Sequence, residues 1–149
     1  MDRLQHAKER GEKPDLDGLM QDIPYARFLQ IGAELKGHEL TMVLPFRDEI
    51  VGNPRLPAIH GGVIGAFLEV TATVQLVWEV ADIKLPKPID MNIAFLRSGR
   101  PQPTYARATI TKQGRRIVQV SADAWQEERN KPIATWQGHF LTKSEIATV

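Results

Sequence analysis

The stretch GNPRLPAIHGGVIGAFLEVTATVQLVWEVA, residues 52–81, decides how the chain folds. Its opening, dense in Gly and Pro, reads as a loop. From about His60 to Ala81 no proline intervenes and apolar residues fall on nearly every side of a 3.6-residue repeat. That pattern predicts one long helix lying inside the protein rather than on its surface. Val63, Ile64, Val70, Thr71, Thr73, Val74 and Val77 are mediocre helix formers, so the assignment rests on length and on the short strand-like runs either side. The segment Val63 to Val80 approaches the length of a membrane span, but it carries Glu69, Thr71, Thr73, Gln75 and Glu79. A carboxylate at bilayer mid-depth costs roughly 2.5–3.5 kcal/mol on insertion scales, which favours burial in protein.

Upstream of this helix, Asp15-Leu16-Asp17 opens a short helical pattern with Leu16, Leu19, Met20 and Ile23 on one face, and Pro24 is expected to close it. FLQIGAEL (28–35) and ELTMVLPF (39–46) read as strands split by a hairpin at Lys36-Gly37-His38. Downstream, PIDMNIAFL (88–96), TYARATITK (104–112), RIVQVSADAWQ (116–126) and PIATWQGHFLT (132–142) read as four more strands. Val118, Val120, Ala122 and Ala124 alternate with Gln119, Ser121 and Asp123, as in a sheet with one packed face. One buried helix against a meandering antiparallel sheet is an α+β layout. Residues 1–14 hold few apolar anchors and are expected to form a mobile arm, leaving a single domain over 15–149.

A chain of 149 residues, 42% hydrophobic and 25% charged, has room for one domain with a real core. Nineteen Lys plus Arg oppose 18 Asp plus Glu, so no overall field favours nucleic acid or an anionic membrane, and any anion must be bound locally. The absence of cysteine removes disulfides, thiolate nucleophiles and Cys-ligated zinc. His6, His38, His60 and His139 show no metal-ligand spacing, and neither a P-loop nor a dinucleotide-binding glycine pattern is present. The polar N-terminus lacks the apolar region of a secretory signal, which makes a cytoplasmic setting the default expectation.

The chemistry concentrates between Asn53 and Glu69. Gly61 and Gly62 at a helix start leave unshielded backbone N–H groups with the positive end of the helix dipole behind them, a place to stabilise an oxyanion. Glu69 sits mid-helix with apolar flanks, where desolvation favours the neutral acid and suits the carboxylate to act as a base near neutral pH or as a nucleophile. Thr73, four positions on, shares its face and is placed to hold a water. Eight residues of helix separate Gly61 from Glu69 by roughly 12 Å. Both can attend one carbonyl carbon only if a second subunit lends its Glu69 to the first subunit's glycines, which predicts an obligate two-fold dimer.

GNPRLPAIHGGVIGAFLE resembles the signature of PaaI-type thioesterases within the 4-hydroxybenzoyl-CoA thioesterase superfamily, in which an Asn precedes HGG and an Asp or Glu follows nine positions after the His. The similarity extends more faintly over about Pro24 to Thr142. It implies the hot-dog fold, a curved antiparallel sheet wrapping a central helix, with dimers joined edge to edge. The implied activity is hydrolysis of an acyl-CoA thioester, with coenzyme A part of the substrate and no separate cofactor. By position Gly61 would supply the oxyanion-hole N–H, the partner's Glu69 the base or nucleophile, and Asn53 the orientation of water or carbonyl. His60 would shape the turn and is a secondary candidate. Pro88 stands where the family often carries a hydroxyl residue two places before the Asp of DMN. Arg97, Ser98 and Arg100 would meet the CoA phosphates, with Arg115 and Arg116 as further candidates, since the guanidinium fork grips phosphate in a bidentate way.

Ala66, Phe67, Val70 and Val74 suggest an apolar acyl pocket that suits aromatic or medium-chain groups equally. Trp78, Trp125 and Trp136 read as core or interface. A non-catalytic acyl-CoA binder is the competing function. It leaves a buried carboxylate unexplained, because such a group costs free energy that a binder does not recover. Dimer and dimer of dimers both fit the sequence.

Overall fold

The computed structural model describes residue 10, residues 15–80 and residues 86–142. The expected arm over 1–14, Arg10 aside, and the expected helix end at Ala81 therefore lie outside the described residues. Helix α1 (Leu16–Asp22) starts where Asp15 caps it, its Oδ1 accepting the Gly18 N–H at 2.8 Å, and it buries Leu16, Leu19 and Met20. Pro24 closes α1 as expected, the residue before it, Ile23, being held extended. It takes the first position of a second helix, α2 (Pro24–Leu29), where a missing N–H costs nothing.

Phe28 and Leu29, expected in a strand, are the last turn of α2, and the left-handed Gln30 (φ 58°) ends it. Ala26 and Leu29, one helical turn apart, are fully buried, and that packing overrides the β-like look of a short apolar run. Strand β1 (Gly32–Lys36) then pairs with β2 (Glu39–Leu44). Lys36 faces Glu39, leaving Gly37 and His38 as a two-residue turn, with Gly37 at the positive φ of 62° that mirror-image hairpin turns require.

A single 3₁₀ turn (Asp48–Ile50) leads into a small ribbon of β3 (Val51–Asn53) and β4 (Ala58–Ile59). Helix α3 (Gly61–Glu79) follows, and then β5 (Lys87–Phe95), β6 (Thr104–Gln113), β7 (Ile117–Trp125) and β8 (Ala134–Leu141). The six long strands form one antiparallel sheet in the order β1-β2-β6-β7-β8-β5, and α3 lies across β2, β6, β7 and β8. This is the α+β hot-dog layout expected from the sequence. Helix α3 is long and apolar enough to cross a membrane by length and composition alone. Its burial under the sheet, with Phe67, Leu68, Ala72, Val74 and Leu76 sealed from solvent, accounts for that apolarity instead.

The concave face of β7 presents Val118, Val120, Ala122 and Ala124 to the helix, as the alternation predicted. On β8, Trp136 and Phe140 do the same, with the Trp136 ring folded over Gly138. Strand β5 is different. It ends the sheet, and all of its residues except the half-buried Ile93 are exposed.

Candidate active site

The loop before α3 is built to deliver its first turn. Gly52 runs so close to His60 that a Cβ would come within 2.7 Å of the His60 Cα, so only glycine lets the β3–β4 ribbon close. The His60 N–H bonds the Ile50 carbonyl at 2.8 Å and its own carbonyl receives the N–H groups of Val63 and Ile64. The His60 ring caps the helix, Nδ1 accepting the Gly62 N–H at 2.9 Å. Acceptance at Nδ1 places the ring proton of the neutral imidazole on Nε2. His60 is thus the helix cap, and the Gly62 N–H is occupied.

That leaves Gly61. Its N–H has no acceptor among the described residues, and it stands at the positive end of a 19-residue helix. The Phe95 ring lies over it, 3.2 Å from where a Cβ on Gly61 would sit. A cavity of about 370 Å³ opens here, lined by Ala58, Ile59, Ile64, Phe95 and Leu96 beside Gly61 and Gly99. Arg97 and Ser98 line it too, and they also line an adjoining polar cavity of about 420 Å³ with Arg100, Gln126, Lys131 and the carboxylates Glu127 and Glu128, of which Glu128 pairs with Lys131 at 3.4 Å. A cavity at the free N–H, walled on one side by Ile59, Ile64, Phe95 and Leu96, therefore adjoins a polar one that carries both signs of charge.

The polar chamber is held in shape by Gln126, whose Oε1 accepts the Arg100 N–H at 3.0 Å while Nε2 donates to the Arg100 carbonyl at 2.9 Å. Arg97 donates from Nη1 to the Pro132 carbonyl at 2.6 Å, so one edge of its fork is committed to the fold. Arg115 and Arg116 lie at the far end of the β6–β7 hairpin, about nine strand residues or roughly 30 Å from the Arg97–Arg100 turn. Within one chain these two groups of arginines do not meet.

Glu69 is half-buried two turns along α3, and burial raises its pKa above the ordinary carboxylate range. Among the described residues it has neither a hydrogen bond nor an ion pair. Thr73 is half-buried one turn further, its hydroxyl uncommitted, in contrast to Thr71, whose Oγ1 donates to the Phe67 carbonyl at 2.8 Å. Asn53 is exposed, and its Oδ1 accepts the Arg55 N–H at 3.0 Å, which turns the loop back on itself. Only its amide nitrogen is left to face outward.

The acyl pocket expected from Ala66, Phe67, Val70 and Val74 is not formed within the chain. Phe67 and Val74 are fully buried and Val70 nearly so, all within the core under the sheet, and only Ala66 is half-exposed. On a helix apolar all round, composition does not say which side the sheet will cover. The sequence reading also passed over Phe95, Leu96 and Gln126. The tract PIDMNIAFL does carry a signal, since its apolar residues continue to the end of a strand bounded by polar turn residues.

The profile of the Thioesterase superfamily matches residues 56–133, just over half the chain and the site described above from His60 to Lys131, though not Gly52 and Asn53. The chain belongs to this superfamily, whose membership supports acyl-thioester hydrolysis as the class of chemistry. Among solved structures, a protein from Chromobacterium violaceum is 33% identical, covers 97% of this chain and 99% of its own length, and superposes with a TM-score of 0.76. A thioesterase from Haemophilus influenzae is 22% identical over 87% of this chain and 91% of its own, with a TM-score of 0.75. A Bacillus halodurans protein solved with CoA is 21% identical over 88% of this chain and 89% of its own, with a TM-score of 0.72. The latter two share the fold. No curated protein matches the sequence.

Proposed function

We propose that this protein hydrolyses acyl-CoA thioesters at a site shared by two subunits. The observation that carries the reading is the pairing of a free Gly61 N–H, opening on a cavity walled by Ile59, Ile64, Phe95 and Leu96, with a half-buried Glu69 that has no partner among the described residues, on the same helix. The two stand roughly 12 Å apart along the axis, too far to serve one carbonyl within a chain. A nine-residue edge strand with exposed Met91 and Phe95 runs beside them, the kind of edge that a second chain covers. The CoA-bound Bacillus halodurans neighbour supports a CoA thioester as ligand.

In this reading the CoA phosphates sit in the polar chamber near Arg100 and Lys131, and the pantetheine arm passes Ser98 and Leu96. The thioester oxygen accepts the Gly61 N–H. Glu69 of the partner subunit takes a proton from water, and the water oxygen bonds to the carbonyl carbon. The resulting oxyanion is held at Gly61, and one such donor is worth about 3–4 kcal/mol. Collapse breaks the C–S bond, and the thiolate receives the proton held by Glu69. Direct attack by the carboxylate, giving an anhydride that water opens, uses the same groups. Asn53 and Thr73 orient the attacking water.

The deciding experiment is thiol release from short, medium, long and aromatic acyl-CoAs by wild type and Glu69→Gln, both checked for fold and assembly. Turnover that collapses in a folded Glu69→Gln protein supports hydrolysis with this carboxylate. Tight acyl-CoA binding without turnover by wild type replaces it with the binder reading.

A further inference from the structure

The polar chamber lies between the β5–β6 loop (96–103) and the β7–β8 loop (126–133), and its lining sets Arg97, Arg100 and Lys131 against the carboxylates of Glu127 and Glu128. Gln126 sews the two loops together, since besides its bonds to Arg100 its Nε2 donates to the Thr104 hydroxyl at 3.2 Å. The arginines belong to this frame. Arg97 is tied by its guanidinium to the Pro132 carbonyl and Arg100 by its backbone to Gln126, and neither has an ion pair among the described residues. Lys131 differs. Its N–H bonds the Glu128 carbonyl at 2.9 Å, and the turn so formed brings its ammonium to the Glu128 carboxylate at 3.4 Å, its one side-chain partner among the described residues. Both side chains are more than half exposed, where an ion pair is weak and exchanges readily with other ions.

A phosphate entering this chamber meets cations that already have anions beside them. Bonded to the Lys131 ammonium at about 2.8 Å, it stands within about 6 Å of the Glu128 carboxylate, and it must displace that carboxylate or share the ammonium with it. In water, repulsion at about 6 Å amounts to about threefold in a dissociation constant for each phosphate charge. The phosphates are common to acyl-CoA and to the CoA set free by hydrolysis. A group that opposes them therefore weakens substrate and product alike and leaves the chemical step untouched. Its effect on turnover falls on product release, the step that limits many enzymes.

We infer that Glu128 is a built-in counter-anion for Lys131, which yields the ammonium to a CoA phosphate and opposes that phosphate once bound, so that CoA is held loosely and leaves after hydrolysis. The inference rests on the acyl-CoA reading above. Glu127, which lines the same chamber without an ion pair among the described residues, adds repulsion but has no cation to yield.

The test is calorimetric binding of CoA to wild type, Glu128→Gln, Lys131→Met and the double variant at low salt, with thiol release from acyl-CoA and inhibition by added CoA followed on the same samples. Glu128→Gln should bind CoA about three- to tenfold more tightly, for one or two phosphate charges, and the inhibition constant of CoA should fall by the same factor. The gain should shrink in about 1 M salt, where the screening length is about 3 Å, which a packing effect would not do. It should also shrink on the Lys131→Met background, itself weaker for CoA than wild type. Unchanged or weaker CoA binding by Glu128→Gln, beside a wild type that hydrolyses acyl-CoA, overturns the counter-anion and leaves hydrolysis standing. A gain of equal size with and without Lys131, or one indifferent to salt, overturns it too. The expected pattern in a protein that releases no thiol upholds the counter-anion and removes hydrolysis. A wild type that neither binds CoA nor releases thiol removes both.

Discussion

At Glu69 the protein keeps an acid where water is scarce, and its titration follows from that. Burial raises its folded pKa, so between the ordinary glutamate range and the raised value the folded chain holds more protons than the unfolded one. Stability is therefore greatest below the ordinary range and falls as pH rises through the folded value. Glu69→Gln should melt higher than wild type at pH 8, with the gap closing in acid, as thermal denaturation across pH will show. The same substitution should lower kcat/KM by about 10²–10⁴-fold, the usual span for a lost base. The acidic limb of the wild-type pH profile should lie above the ordinary glutamate range.

His60 offers a contrast. As a cap its loss should cost about 1 kcal/mol, so His60→Ala should denature at lower urea, while His60→Asn, which keeps a capping acceptor, should recover both stability and activity. Activity that stays low in a stable His60→Asn protein would assign the imidazole a chemical role.

Among the elements, β5 and β8 set the shape of the site edge. A Cβ on Gly138 would sit 2.4 Å from the Trp136 ring and 2.8 Å from the Asp90 carbonyl, with strand backbone on one side and a fully packed ring on the other. Gly138→Ala should cost about 1–3 kcal/mol, measured by chemical denaturation, because neither neighbour can yield cheaply. The strands of the main sheet were legible, whereas the short β3–β4 ribbon falls in the segment expected as loop. Alternation in β7, the turn at Gly37 and the length of α3 each have a local cause in period or backbone sterics. The segment around Phe28 was not, because a short apolar run suits helix and strand equally and burial of Ala26 and Leu29 chose between them.

At the scale of the whole molecule, the proposed function requires that two chains complete each site. Gly61→Pro removes one N–H at a helix first position, where His60 already has the extended backbone that a following proline wants, and its added Cβ asks the exposed Phe95 ring, 3.2 Å away, to move by a few tenths of an ångström. Alone it should be slowed about 10²–10³-fold. Mixed in equal amounts with Glu69→Gln and allowed to exchange subunits, it should regain about a quarter of wild-type activity, since half the dimers are mixed and each holds one intact site. No recovery after demonstrated exchange would place the two groups in one subunit's site.

Much of this protein was determined locally. The HGG start, the apolar helix and the carboxylate nine positions after His60 are set by residues near in sequence, and so were the fold class and the candidate chemistry. The tertiary structure alone decided that His60 consumes the Gly62 N–H and leaves Gly61 free, that Phe67 and Val74 belong to the core, and that Arg97 and Arg100 are distant from Arg115 and Arg116. It also put the Phe95 ring over Gly61. The cap at His60 is local, made two residues away, but it needs the ring's orientation, which residue type alone does not give; the others depend on which face of a helix the sheet covers and on how the strands are ordered. Both are settled by contacts between residues far apart in the chain, which no local period encodes.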